Sequence, residues 1–115
     1  FFNIGHNPPI YISDEGKEQL FSATSVPIGI LPELDSNLTK EEKDLSNGRF
    51  FIYTDGFPET MLGGKELGEK GLIKQIKHAI ADSAQETTNN IMMQKIFNPE
   101  KLADDMTFMT LGPLK

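Results

Sequence analysis

Arg49-Phe50-Phe51-Ile52-Tyr53-Thr54-Asp55-Gly56 is the stretch that decides the fold. Its apolar residues run from Phe50 to Tyr53 without alternation, the pattern of a strand covered on both faces. The strand stops at Asp55-Gly56, and Phe57-Pro58 turns the chain. Upstream of it the sequence reads as short strands and turns. Phe1–Ile4 is an apolar run ended by Gly5-His6-Asn7-Pro8-Pro9, where two prolines forbid helix. Ile10-Tyr11-Ile12 resumes a strand, Asp14-Glu15-Gly16-Lys17 signals a hairpin, and Glu18 to Ser22 returns. Val26 to Pro32 is apolar but punctuated, hence a packed loop; Leu38 to Leu45 reads as an edge strand before the turn Ser46-Asn47-Gly48. Downstream, from Glu66, the period becomes 3.6, with Leu72, Ile73, Ile76, Ala79 and Ile80 on one helical face. A second helix is predicted from about Ala84 to Phe97, with Ile91, Met92 and Ile96 as its apolar side, interrupted by Asn98-Pro99. Met106 to Leu111 is the final strand. The order β-β-β-β-β-α-α-β predicts an α+β fold: an antiparallel sheet with a helix pair packed on one face.

The 115 residues suffice for one domain. Eleven Lys and Arg against seventeen Asp and Glu leave a formal charge of −6, the wrong sign for a partner rich in phosphate, so nucleic acid is excluded as a partner. Cysteine is absent, which removes disulfides, thiolate metal sites and a cysteine nucleophile together. No apolar run approaches the ~20 residues that span a bilayer. The start, Phe1-Phe2-Asn3-Ile4, has neither the basic segment of a secretory signal nor an initiator Met. A cytoplasmic segment cut from a longer chain is the expectation.

Asp55 follows the buried strand directly, and Asp104-Asp105 immediately precede the last one. If these strands are neighbours, carboxylates distant in sequence converge at one edge of the sheet. Clustered carboxylates repel one another, and a divalent cation with a taste for hard oxygen ligands, Mg²⁺ or Mn²⁺, relieves that cost. Spacing alone leaves a second reading open, in which Asp55-Gly56 is only a turn and Asp104 only a residue at the start of a strand or the end of a helix.

Four segments carry a family resemblance. Asn3-Ile4-Gly5-His6-Asn7-Pro8-Pro9 resembles the Asn-Ala-Gly-His-x-Pro-Pro segment of the stage II sporulation protein E-like serine phosphatases, a bacterial branch of the metal-dependent, type 2C-like protein phosphatases. Val26-Pro27-Ile28-Gly29-Ile30-Leu31 is similar to their (Leu/Val)-Pro-Leu-Gly-Leu-Leu. Tyr53-Thr54-Asp55-Gly56-Phe57-Pro58-Glu59 is similar to Tyr-Thr-Asp-Gly-(Val/Leu)-Thr-Glu, and Asp104-Asp105-Met106-Thr107-Phe108 to Asp-Asp-Ile-Thr-Leu. The segments occur in family order and span nearly the whole chain.

The resemblance implies half of a type 2C-like αββα sandwich and a two-metal hydrolase acting on phosphoserine or phosphothreonine. Asp55 and Asp104 would be metal ligands at the catalytic centre, Glu59 a weaker one, and Asp105 a support behind them. Thr107 would support the ligand loop, and Gly56 would let the chain turn beside a metal. His6 reads as a turn histidine bonded to backbone rather than as a ligand. The implied cofactor is Mg²⁺ or Mn²⁺, and the implied partner a phosphorylated signalling protein such as an anti-sigma-factor antagonist. The chain would be the C-terminal portion of its domain. The family's early aspartate and its Asp-x-x-Gly-His-Gly-like segment do not occur in it, so weak metal binding and little activity are expected of these residues alone. The sheet face meant for the missing half would be apolar and would drive self-association, with Phe1-Phe2 and Phe50-Phe51 as the glue. A non-catalytic phosphatase-like module that binds a phosphoprotein is the alternative.

Overall fold

The computed structural model describes residues 1–24, 27, 29–30, 33, 38–97 and 105–113. Among these residues, six strands and two helices follow in the order β1 (Ile10–Ser13), β2 (Glu18–Leu20), β3 (Gly48–Tyr53), β4 (Met61–Leu62), β5 (Lys65–Glu66), α1 (Gly68–Ala79), α2 (Ala84–Met92) and β6 (Phe108–Leu111), with a 3₁₀ turn at Lys95–Phe97. Strands β2-β1-β3-β6 form one antiparallel sheet in that spatial order, and β4-β5 form a separate small hairpin. This is the predicted α+β arrangement, with two corrections. Phe1–Ile4 and Leu38–Leu45 are not strands. The 38–45 segment is too charged to alternate, and it lies beside the chain start through a Glu41 N–H to Phe1 carbonyl bond of 2.7 Å. The β4-β5 hairpin is an addition to the sequence reading, although Gly63 and Gly64, at φ +62° and +83°, are the glycine pair that a tight hairpin turn demands. The loop expected from Val26 to Pro32 falls mostly outside the described residues, as does Asn98-Pro99.

The register explains which side chains face which layer. Residues directly opposite share a face, and the pairs Ile10–Phe51 and Tyr53–Phe108 point toward the helices. There they meet Leu72, Ile73, Ile76 and Ala79 of α1 and Ile91 of α2 in a single buried core, together with Phe57 and Phe97. Ile80 is not on that face. The helix ends at Ala79, and Ile80 takes an extended backbone with 39% of its surface exposed. Helix α2 stops at Met92, short of Phe97; Met92 is exposed, and Thr87 takes the buried place expected of it. Its start is a Ser83-x-x-Glu86 cap in which the Ser83 hydroxyl accepts the Glu86 N–H at 3.1 Å.

Polar side chains lock the helix layer to the sheet. The buried Arg49 donates to the Asp82 carbonyl in the α1–α2 loop at 2.6 Å, and Thr88 of α2 meets Thr110 of β6 at 2.7 Å. Gln94 donates to the Gln75 carbonyl at 2.9 Å and ties the end of α2 to α1. Tyr53 is buried, and among the described residues its hydroxyl has no hydrogen-bond partner. Burial, with Glu69 and Asp55 nearby, pushes this phenol up to about 12 from its ordinary 10.0. The unfolded chain therefore loses that proton first, so stability is untouched below pH 10 and falls as pH rises from 10 toward 12. Tyr53→Phe is expected to make that alkaline fall shallower, read from thermal midpoints against pH. The buried Tyr11, also raised by burial, supplies part of what remains.

Among the described residues, no helix covers the opposite face of the sheet. Tyr11, Phe21 and Phe50 form a small second cluster there, with Phe1 against both Phe21 and Phe50 at ring separations of 5.4 Å. Beside it runs an apolar trough of about 440 Å³, lined among others by Phe1, Phe2, Phe50, Ile52 and Leu111. Phe51 does not belong to this face, which corrects its place among the adhesive residues: it is fully buried beneath the helices. The molecule is only 19 Å thick along its shortest axis, enough for one sheet and one helical layer.

Candidate active site

The site is built where β3 ends and β6 begins. Pairing Tyr53 with Phe108 brings the residues after Tyr53 against those before Phe108. Thr54 joins the two. Its N–H donates to the Thr107 carbonyl at 3.1 Å, its hydroxyl accepts the Thr107 N–H at 2.9 Å, and the same hydroxyl donates to the Asp105 carbonyl at 3.4 Å. Thr107 thus contributes to the junction through its backbone.

Residues 54–60 then form a compact turn. The Phe57 N–H reaches the Thr54 carbonyl at 3.2 Å, the Glu59 N–H reaches the Asp55 carbonyl at 3.0 Å, and the Thr60 hydroxyl donates to the Gly56 carbonyl at 2.7 Å. Phe57 anchors it from below, fully buried against Phe97 and Phe108 at ring separations of 5.0 Å. Gly56 sits so close to the other segment that a Cβ there would lie 2.7 Å from the Asp105 carbonyl oxygen. Glycine is required here by this close approach, a more specific reason than freedom to turn.

The structure places the expected site residues as follows. Asp55 is exposed at the tip of this turn, Glu59 is exposed on the same turn, and Asp105 is exposed on the facing segment. Asp104 lies outside the described residues. His6 is exposed, with Nδ1 2.8 Å from the Asn7 carbonyl, the geometry of a turn histidine bonded to backbone. Sequence reading passed over Asn7, Thr54 and Phe57. Asn7 donates its side-chain amide to Asp55 Oδ1 at 2.5 Å. Phe57 carried a local signal, an apolar residue inside a polar turn; Asn7 carried none.

The donor chemistry can be tested against the implied metal. Carboxylates on two adjoining segments are hard oxygen donors, and that kind suits Mg²⁺ or Mn²⁺. Among the described residues, however, no group of three or more His, Cys, Asp or Glu is placed to hold a metal ion. The residues fit in kind but not in number.

Compared with known proteins, the sequence matches the family described as Stage II sporulation protein E (SpoIIE) over residues 1–112, and the chain belongs to that family. It is 39% identical over 59 residues to the phosphoserine phosphatase RsbP of Bacillus subtilis (strain 168), a stretch that is 49% of this chain and 14% of RsbP. Its fold resembles the SiaA-PP2C domain of Pseudomonas aeruginosa with a TM-score of 0.63 at 17% identity, covering 94% of this chain and 43% of that one. The antiparallel sheet with its helix pair therefore has the fold of part of a PP2C domain, and the chain spans less than half the length of each of these relatives. Among the described residues no helix is long and apolar enough to cross a membrane.

Proposed function

We propose that this chain supplies the C-terminal part of a metal-dependent protein serine/threonine phosphatase site. The observation that carries the reading is the β3–β6 junction: it sets the Asp55 turn directly against the segment that contains Asp105 and follows Asp104. Asp55 and Asp104 would hold Mg²⁺ or Mn²⁺, Glu59 would add a weaker contact, and Asp105 would support them. A bound divalent ion would lower the pKa of a water and stabilise charge on a phosphoryl oxygen. The chain's own part is to keep the Asp55 carboxylate exposed on a rigid turn. Too few ligands are present among the described residues for tight binding, so further ligands from the rest of a complete domain belong to this reading.

The substrate in this reading is a phosphorylated signalling protein such as an anti-sigma-factor antagonist, and the setting bacterial, cytoplasmic signal transduction. RsbP, by its name a phosphoserine phosphatase, supports the choice of phosphoserine. The test is Mn²⁺ binding and Mn²⁺-dependent hydrolysis of a phosphoserine peptide, each compared between the wild type and Asp55→Asn. Mn²⁺ broadening of the amide signals at Asp55, Glu59 and Asp105 that vanishes in the variant supports the reading. Broadening indifferent to the substitution would overturn it.

A non-catalytic phosphoprotein-binding module is the second reading, favoured by the lack of a three-ligand cluster among the described residues. It predicts phosphopeptide binding that Asp55→Asn leaves unchanged. In either reading the open apolar face calls for a cover. The 115-residue chain by itself is expected to self-associate through Phe1, Phe2 and Leu111, with sedimentation velocity as the check and a strict monomer as the contrary result.

A further inference from the structure

Asp55 is an exposed side chain on a turn, and by itself such a carboxylate would rotate among several staggered rotamers. It does not stand by itself. The Asn7 amide meets Oδ1, and because an ionised carboxylate only accepts, the amide must present its NH₂ there. Asn7 is in turn fixed from both sides. On one side the buried Asn3 donates to the Phe21 carbonyl at 2.8 Å and accepts the His6 N–H at 2.9 Å, while its own carbonyl accepts the Thr24 N–H at 3.1 Å. Gly5 has φ +77°, and a Cβ there would lie 2.3 Å from Pro27, so the loop bends where only glycine fits. The His6 ring holds the Asn7 carbonyl. On the other side Pro8 and Pro9 restrict the backbone, and the Pro9 carbonyl accepts the Phe21 N–H at 3.0 Å.

We propose that Asn7 is a positioning residue for Asp55: it occupies one carboxylate oxygen and so presents the group to an incoming cation in one orientation. The inference rests on reading Asp55 as a metal ligand. It gives the 3–9 loop a function that no ligand of its own requires, since the loop acts through Asp55. Outer partners that orient a ligating carboxylate commonly change metal affinity by about 10- to 100-fold when lost.

The experiment uses the 115-residue chain, with Asn7→Leu as a near-isosteric variant without the donor and Asn7→Gln as one that keeps it. Asn7 and Asp55 are not core residues, so neither variant is expected to unfold the chain, and the amide spectrum checks this. The first readout is the χ1 coupling of Asp55 without metal. One rotamer in the wild type, averaging in Asn7→Leu and recovery in Asn7→Gln are expected; a single rotamer that persists in Asn7→Leu would overturn the proposal. The second readout is Mn²⁺ titration followed by line broadening. A loss of at least about tenfold in apparent affinity is expected for Asn7→Leu, with most of it regained in Asn7→Gln. Equal affinity in wild type and Asn7→Leu, where wild-type binding depends on Asp55, also overturns the proposal. Mn²⁺ binding that ignores Asp55→Asn refutes the ligand reading instead, and the coupling still decides what Asn7 does.

Discussion

Asp55→Asn is expected to lower Mn²⁺-dependent hydrolysis of a phosphoserine peptide by about a thousandfold in a polypeptide that carries these residues within a complete domain. Removing a ligand charge from a metal-assisted centre forfeits several kcal/mol of stabilisation, and each 1.36 kcal/mol is about tenfold in rate. The substitution is close to isosteric, and the exposed side chain takes no part in the core. The side-chain carbonyl oxygen that the substitution leaves in place can still accept from Asn7, so the turn should survive. A thermal midpoint within a few degrees of wild type is the necessary control. An unchanged rate would remove Asp55 from the chemistry, and a collapsed midpoint would show that the loss was one of folding.

Phe51→Ala is expected to cost about 3–5 kcal/mol of stability, a large part of the total for a domain of this size. Phe51 is wholly buried on the helix face of the central strand and packs against Phe108 at a ring separation of 5.8 Å. The strand is held on both sides by β1 and β6, so its backbone cannot easily move to fill the space. Urea titration followed by far-UV circular dichroism measures the cost. Phe2→Ala, at a half-exposed position, is the comparison and should change the midpoint little in a monomeric sample. Equal effects at the two positions would mean that Phe51 is not the buried anchor of the helix-covered core.

The run Phe50–Tyr53 and the 3.6-residue period of α1 made the centre of the fold legible in the sequence. Both signals come from burial, which acts on many residues together. Elements held by backbone bonding alone were less legible. The β4 and β5 strands have two residues each, too short for any alternation, and only Gly63-Gly64 marked them. The charged stretch Lys40 to Asp44 resembled an edge strand because Leu38 and Leu45 bracket it, yet among the described residues no strand pairs with it. At the candidate site, Asp55 and Asp104-Asp105 were singled out by their places beside apolar runs and Glu59 by the family resemblance, and the structure sets the Asp55 turn against the segment with Asp105. The roles of Thr54 and Asn7 were not visible, because each acts on a residue about fifty positions away, and no local pattern encodes such a reach.

The paired hydrogen bonds between Thr54 and Thr107 have a kinetic meaning as well. They join the two ends of a long segment that contains both helices, so the loop-closure entropy they cost is offset by the packing of the helical layer on the sheet. The Thr54 amide, bonded to the Thr107 carbonyl, is expected to exchange its hydrogen more slowly than the amides of the open loops. The same pair of bonds holds the Asp55 turn and the segment with Asp105 in one place, so whatever loosens this junction separates the two carboxylates as well.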